Sequence, residues 1–128
     1  MMADKVKFNS IAPQFVVPDV RRTAEWYRDN LGFEILGYFY GEPPVYCIVR
    51  RGNVEIHFGR GDSERTVSNT QVREMSMEAY VFIEGVSALY EEIVAKGVEV
   101  PYPPTTREYN RIEIEITDCD GHKLVFGE

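Results

Sequence analysis

The chain contains 128 residues, a length typical of one domain, and 44% of them are hydrophobic, which is enough for an ordinary core. Its 21 acidic residues outnumber its 14 lysines and arginines, and because the resulting charge of -7 repels phosphates and anionic lipids, it argues against nucleic-acid and membrane-surface binding. We expect a cytoplasmic protein for three reasons: the two cysteines are well separated, no apolar segment approaches ~20 residues, and the start MMADKVKFNS does not resemble a signal peptide.

The first half of the chain predicts a strand, a helix and three further strands. Asp19 is a candidate N-cap, and Gly32 stands where a left-handed C-cap is expected. Between them, four apolar residues share one helical face: Val20, Ala24, Tyr27 and Leu31. Turn-forming residues then separate three predicted strands, at Glu34–Tyr40, Tyr46–Arg51 and Val54–Gly59.

The second half repeats this order of elements. Residues 80–100 resemble residues 15–35, with a helical apolar face formed by Val86, Leu89, Tyr90, Ile93 and Val94 and closed by Gly97. Three predicted strands follow it, at Val98–Pro101, Arg111–Thr117 and Lys123–Gly127. Each half therefore reads as βαβββ. We predict one α+β domain over residues 1–128, with modules at about 8–60 and 77–128 and a polar linker at about 61–76.

Strict alternation in two of these strands places polar side chains on one face. Glu55 and His57 share a face opposite Ile56 and Phe58, and Glu113 and Glu115 share a face opposite the isoleucines of their strand. These faces point either to solvent or into a shared concavity. The spacing of His57 and Glu55 also suits a general base and its carboxylate partner.

Three segments carry a family resemblance: VPDVRRTAEWYRDNLGFEI, VFIEGVSALYEEIVAKG and the terminal DCDGHKLVFGE. They resemble the vicinal-oxygen-chelate superfamily of glyoxalases, bleomycin-resistance proteins and extradiol dioxygenases, and within it the bleomycin-resistance branch. The resemblance implies that two βαβββ modules curl into a half-open cup of mixed β-sheet, with a helix packed on the outer face of each. It also implies a homodimer.

Metalloenzymes of this superfamily place His or Glu ligands at four points on the inner face. Here two of those points fall at Ala12 and Ala79, one falls at Glu55 or His57, and one falls at Val125. Since a divalent site needs at least three protein ligands, the resemblance implies that no metal cofactor is bound. A relocated divalent metal site that uses Glu55 and His57 remains the alternative.

These considerations predict a metal-free protein that binds a small molecule in the cup. Carboxylates beside aromatic rings suit a cationic or aromatic ligand. The predicted ligand-binding residues are Gln14, Tyr46, Glu55, His57, Arg111, Glu113 and Glu115. One alternative is a metal-dependent lyase, isomerase or dioxygenase with non-standard ligands, and another is a shell without chemistry that serves protein association.

Overall fold

A computed structural model describes residues 5–128; the first four residues of the N-terminal stretch examined for a signal-type start lie outside the described residues. The strands and helices follow one another in the order β1 (Gln14–Val17), α1 (Val20–Leu31), β2 (Glu34–Phe39), β3 (Tyr46–Arg51), β4 (Val54–Arg60), β5 (Ala79–Phe82), α2 (Val86–Ala95), β6 (Thr105–Thr106), β7 (Ile112–Thr117) and β8 (Lys123–Gly127). A short 3-10 helix at Asn69–Gln71 lies between the two halves.

The strands form two four-stranded mixed sheets with the same topology. The first sheet has the order β1-β4-β3-β2 and the second the order β5-β8-β7-β6. In each sheet the strand before the helix pairs in parallel with the last strand of its module, and the other pairs are antiparallel. The predicted α+β fold of two βαβββ modules is confirmed.

Helix α1 begins and ends where the sequence predicts. The Asp19 side chain accepts a hydrogen bond from the backbone N–H of Arg22 at 3.1 Å, and Gly32 adopts the left-handed conformation with φ 70°. All four predicted apolar residues of α1 are buried. Neither α1 nor any other helix in residues 5–128 is long and apolar enough to cross a membrane.

The predicted strand at Val98–Pro101 is wrong. This segment has no strand structure, and the edge strand of the second sheet is the short β6 at Thr105–Thr106. The N–H of Val98 is already bonded to the carbonyl of Ile93 at the end of α2, so it is not free to pair with another strand. The prolines at 101, 103 and 104 have no N–H to donate to a neighbouring strand, so pairing begins only after them, at Thr105.

A single hydrophobic core joins the two modules. It includes Phe15 and Phe58 of the first sheet together with Ile114 and Phe126 of the second. Two polar residues of the second module are also buried against the first. The Tyr27 hydroxyl donates to Asp118 Oδ2 at 2.6 Å, and the His122 ring stacks on Phe15 with centroids 4.9 Å apart. The opposite side of each sheet is turned away from this core.

Candidate functional site

The predicted site residues lie on the two sheet faces that point away from the shared core. In β4, Ile56 and Phe58 are buried in the core, so Glu55 and His57 lie on the other side of the sheet. We call the side of the first sheet that carries Gln14, Tyr46, Glu55 and His57 the first open face. The side of the second sheet that carries Tyr80, Phe82, Glu113 and Glu115 is the second open face.

A continuous chain of hydrogen bonds links all four residues of the first open face. The Gln14 side-chain amide donates to the Tyr46 hydroxyl at 3.2 Å. That hydroxyl lies 2.6 Å from His57 Nδ1, and His57 Nε2 lies 2.6 Å from Glu55 Oε2. Antiparallel pairing of β3 with β4 and parallel pairing of β1 with β4 bring these residues together. The structure thus assembles four of the predicted ligand-binding residues into one network.

The second open face holds a buried carboxylate. Glu113 is only 3% exposed, its Oε1 accepts from Arg107 Nε at 3.3 Å, and its Oε2 accepts from the Tyr109 hydroxyl. This hydrogen bond to Glu113 raises the pKa of Tyr109. Arg107 and Tyr109 reach Glu113 because residues 107–110 form a tight turn in which Asn110 has φ 64°. The negative charge of Glu113 is therefore paired within the chain.

Tyr80 lies beside this carboxylate, and its buried hydroxyl has no hydrogen-bond partner among residues 5–128. Its ring lies so close to Gly127 that a Cβ at that position would collide with the phenol. Burial, and then the neighbouring Glu113, raise the pKa of Tyr80 to about 12. The phenol therefore stays protonated at neutral pH, and its hydroxyl lies buried beside Glu113.

The other two predicted residues lie near this cluster. The Arg111 guanidinium lies over the Phe82 ring, 4.9 Å from its centroid, in a cation–π contact. Glu115 Oε2 is 3.7 Å from Lys123 Nζ. No hydrogen bond among residues 5–128 connects the residues of the first open face with Glu113, Glu115 or Arg111. The structure therefore groups the seven predicted residues into two separate sets, one on each sheet.

Four residues on or beside the second open face were absent from the predicted ligand-binding residues: Tyr80, Phe82, Arg107 and Tyr109. Counting back from the helix start reached Ala79, which pairs with the buried Leu124 and packs against the core. The alternation around the buried Val81 would have identified Tyr80 as the residue on the open side. The position of Arg107 beside the Glu113 strand indicates that it could neutralise this carboxylate, but no pattern in the sequence signals that Tyr109 folds back onto Glu113.

The donor set does not fit a divalent metal ion. Equivalent registers pair Gln14 with His57 in the first sheet and Tyr80 with Val125 in the second, so His57 rather than Glu55 corresponds to Val125. Of these four side chains only His57 is a strong metal ligand. Within residues 5–128, no three His, Cys, Asp or Glu side chains are grouped so that they could hold a metal ion.

A cleft of about 370 Å³ lies elsewhere, where the two modules meet. It is lined mainly by apolar side chains, among them Leu31, Phe33, Leu89 and Phe126, with the ion pair of Arg51 and Glu92 at its edge. None of the predicted ligand-binding residues belongs to it.

Comparisons with known proteins agree with this architecture. The family profile described as Glyoxalase/Bleomycin resistance protein/Dioxygenase superfamily matches residues 7–126. No curated protein sequence shows significant similarity to the chain.

Three similar solved structures illustrate the likeness. The bleomycin-binding protein from bleomycin-producing Streptomyces verticillus, complexed with copper(II)-bleomycin, is 25% identical, with 94% of this chain and 96% of that chain covered and a TM-score of 0.71. A glyoxalase-related enzyme from Clostridium phytofermentans is 18% identical over 98% of both chains, with a TM-score of 0.75. A bleomycin resistance determinant encoded on the transposon Tn5 is 16% identical, with 94% of this chain and 98% of that chain covered and a TM-score of 0.74.

Proposed function

The chain belongs to the Glyoxalase/Bleomycin resistance protein/Dioxygenase superfamily, and from this premise we propose that it binds and sequesters a small cationic or aromatic ligand. The observation that carries the proposal is the pairing, on the open faces, of accessible carboxylates with accessible aromatic rings. The proposed binding residues are Gln14, Tyr46, Glu55, His57, Arg111, Glu113 and Glu115.

The carboxylates differ in how well they can meet a ligand. The Glu55 side chain is 38% exposed and uses only one of its oxygens for His57, so the other is free to accept from a ligand. Glu115 is partly exposed beside Lys123. Glu113, buried beneath Arg107, serves instead to fix the surface around it. A chain with a formal charge of -7 also attracts cations over longer distances.

Aromatic rings are available next to these charges. Phe82 is 65% exposed and Tyr109 is 62% exposed on the second open face, and Phe39 is exposed on the strand beside Tyr46. A planar cation can stack on such rings while a carboxylate neutralises its charge, and each cation–π contact contributes on the order of 0.5–2 kcal/mol. Two bleomycin-binding relatives were solved as complexes, one with copper(II)-bleomycin and one with bleomycin, which supports a ligand of this class.

The proposed binding unit is a homodimer in which a second copy helps to enclose the ligand. Apolar side chains on both open faces have no cover within the described chain, notably Val16 and Phe82, and Phe8 and Ile11 project from the N-terminal segment with more than nine-tenths of their surface exposed. Monomeric proteins rarely leave so many large apolar groups in solvent, and association of two copies would bury them.

Ligand titration tests the proposal. Bleomycin, in its metal-free and copper-loaded forms, is added to the purified chain, and Trp26 fluorescence and the melting temperature are recorded beside a neutral aromatic compound of similar size. Saturation at 100 times Kd stabilises the folded state by about 2.7 kcal/mol. We expect binding that weakens with added salt and that weakens about tenfold in Glu55→Gln.

Glu91→Gln is the matched control, because it removes the same charge from the exposed face of α2, away from both open faces. Equal affinities of the two variants, or no response to any cationic aromatic compound, would contradict the proposal. Light scattering should give a mass of twice 14.8 kDa at micromolar concentration. A stoichiometric divalent ion in elemental analysis, lost in Glu55→Gln, would instead favour the metal-dependent alternative.

A further inference from the structure

The hydrogen-bonded chain on the first open face has a defined direction. Because a carboxylate oxygen accepts hydrogen bonds, we assign the imidazole proton of His57 to Nε2, 2.6 Å from Glu55 Oε2. This leaves His57 Nδ1 as an acceptor, and the Tyr46 hydroxyl, 2.6 Å away, is its donor. The Gln14 amide donates to the same phenol oxygen from the other side at 3.2 Å.

This arrangement determines which atom can reach a ligand. Both ring nitrogens of His57 are occupied, one by Tyr46 and one by Glu55, so the imidazole cannot itself act on a bound molecule. The phenol oxygen of Tyr46 lies between Gln14 and His57 in the chain, and one of its two lone pairs is left after Gln14 has donated to it. Enzymes activate hydroxyl nucleophiles by the same arrangement: the hydroxyl donates its hydrogen bond to a neighbouring base, and a carboxylate orients that base.

We infer that Tyr46 is a general-base-assisted nucleophile toward electrophilic small molecules bound on the first open face. The phenol oxygen forms a bond to an electrophilic acyl or sulfonyl centre, the leaving group departs with the bonding electron pair, and the phenol proton passes to His57 Nδ1. Glu55 is the positioning residue, which holds the ring and stabilises the imidazolium that forms. The Gln14 amide stabilises negative charge on the phenol oxygen. This activity goes beyond the proposed sequestration and needs neither a metal nor a second copy of the chain.

Other tyrosines provide internal comparisons. Tyr40 is 79% exposed and its hydroxyl makes no hydrogen bond within residues 5–128, so its reactivity reports exposure alone. Tyr109 is exposed as well, but its bond to Glu113 raises the pKa of its phenol and makes it a poorer nucleophile. Tyr46 is less exposed than either, so a higher rate at Tyr46 cannot come from accessibility.

The test uses 4-(2-aminoethyl)benzenesulfonyl fluoride, a cationic probe whose S–F bond breaks as a tyrosine oxygen attacks the sulfur and fluoride leaves. The folded full-length chain is labelled at neutral pH, and peptide mass spectrometry gives the rate at each tyrosine. We expect Tyr46 to react at least tenfold faster than Tyr40 in the folded chain. In urea, where the chain is unfolded, the two tyrosines should react at equal rates. His57→Gln should reduce the Tyr46 rate at least tenfold, and Glu55→Gln several-fold, while Glu91→Gln leaves it unchanged.

Equal rates at Tyr46 and Tyr40 in the folded wild-type chain would overturn the inference, and this comparison needs no variant to fold. An unchanged Tyr46 rate in a folded His57→Gln chain, judged by circular dichroism and melting temperature, would overturn it too. Because labelling is measured without bleomycin, its failure leaves the ligand titration unaffected, and failure of that titration leaves the labelling result intact.

Discussion

Removal of one buried hydroxyl tests how the two modules are held together. The Tyr27 hydroxyl of α1 donates a hydrogen bond to Asp118 Oδ2 across the junction between the modules, and both side chains are buried. Burial and the neighbouring carboxylate of Asp118 raise the pKa of Tyr27 well above its ordinary value, so the phenol remains a donor. In Tyr27→Phe the Oδ2 atom loses this donor, while Oδ1 keeps the backbone N–H groups of Asp120 and His122.

A hydrogen bond to a charged group contributes about 1.5–3 kcal/mol, and the burial of both side chains keeps bulk solvent from replacing it. We therefore expect Tyr27→Phe to lower the free energy of unfolding by about 2 kcal/mol and the melting temperature by roughly 6–10 °C. Urea unfolding at one fixed protein concentration, followed by Trp26 fluorescence, measures the change.

Tyr90→Phe is the control for this substitution. Tyr90 packs against the same core, and within residues 5–128 its hydroxyl makes no hydrogen bond. The same deletion of one oxygen should change the free energy of unfolding there by less than about 0.5 kcal/mol. If the two variants lose the same stability, the Tyr27 hydrogen bond does not hold the modules together and the reasoning is refuted.

Three further predictions concern other parts of the fold. Burial lowers the pKa of His122, but Asp118 outweighs it and raises the pKa above 6.5, so protonation of His122 stabilises the fold at lower pH and this stability is lost as the pH rises through the folded-state pKa. His122→Gln should therefore make the free energy of unfolding depend less on pH between pH 6 and 8. Gly127→Ala should lower the free energy of unfolding by about 1–3 kcal/mol, measured by thermal unfolding, because the added methyl group collides with Tyr80. If the collision is the cause, adding Tyr80→Ala should recover part of that loss. Asp19→Ala should lower the free energy of unfolding by about 1 kcal/mol because the N-cap is lost, whereas Asp19→Asn, which keeps an acceptor oxygen, should lower it much less. Equal losses in the two variants would exclude capping as the reason.

The elements that the sequence predicts correctly are those specified by local patterns. A cap at each end and one apolar stripe define α1, and alternation assigns Glu55, His57 and Glu113 to the sides of their strands that face away from the core. These signals act over a few residues and need no knowledge of the rest of the chain. The strand expected at Val98–Pro101 fails because its first N–H is used by the end of α2, a competition that alternation alone does not reveal.

The sequence names the four residues of the first open face as candidates, but it does not show that hydrogen bonds connect them. Gln14, Tyr46 and His57 meet only because three strands pair in one register, and a shift of one residue in β3 would turn Tyr46 toward the core. Register depends on the packing of the whole sheet, and a single sequence does not specify it. The nearness of Arg107 to the Glu113 strand indicates in advance that it could neutralise Glu113, whereas the contact of Tyr109 was not predicted because it comes from a turn whose shape depends on Asn110.

The two modules repeat the backbone without repeating its chemistry. The position that holds His57 in the first sheet holds Val125 in the second, and the position that holds Gln14 holds Tyr80. Because a valine cannot accept a proton, the part of the chain that the structure describes has no counterpart of the first hydrogen-bonded chain on the second open face, where the buried Glu113 and Tyr80 hydroxyl lie instead. A ligand held between a first and a second open face would therefore meet an activated tyrosine on one side and fixed aromatic and polar groups on the other. Any chemistry should be confined to the first side, so substitutions at Arg111 should change ligand affinity without changing the rate of Tyr46 labelling.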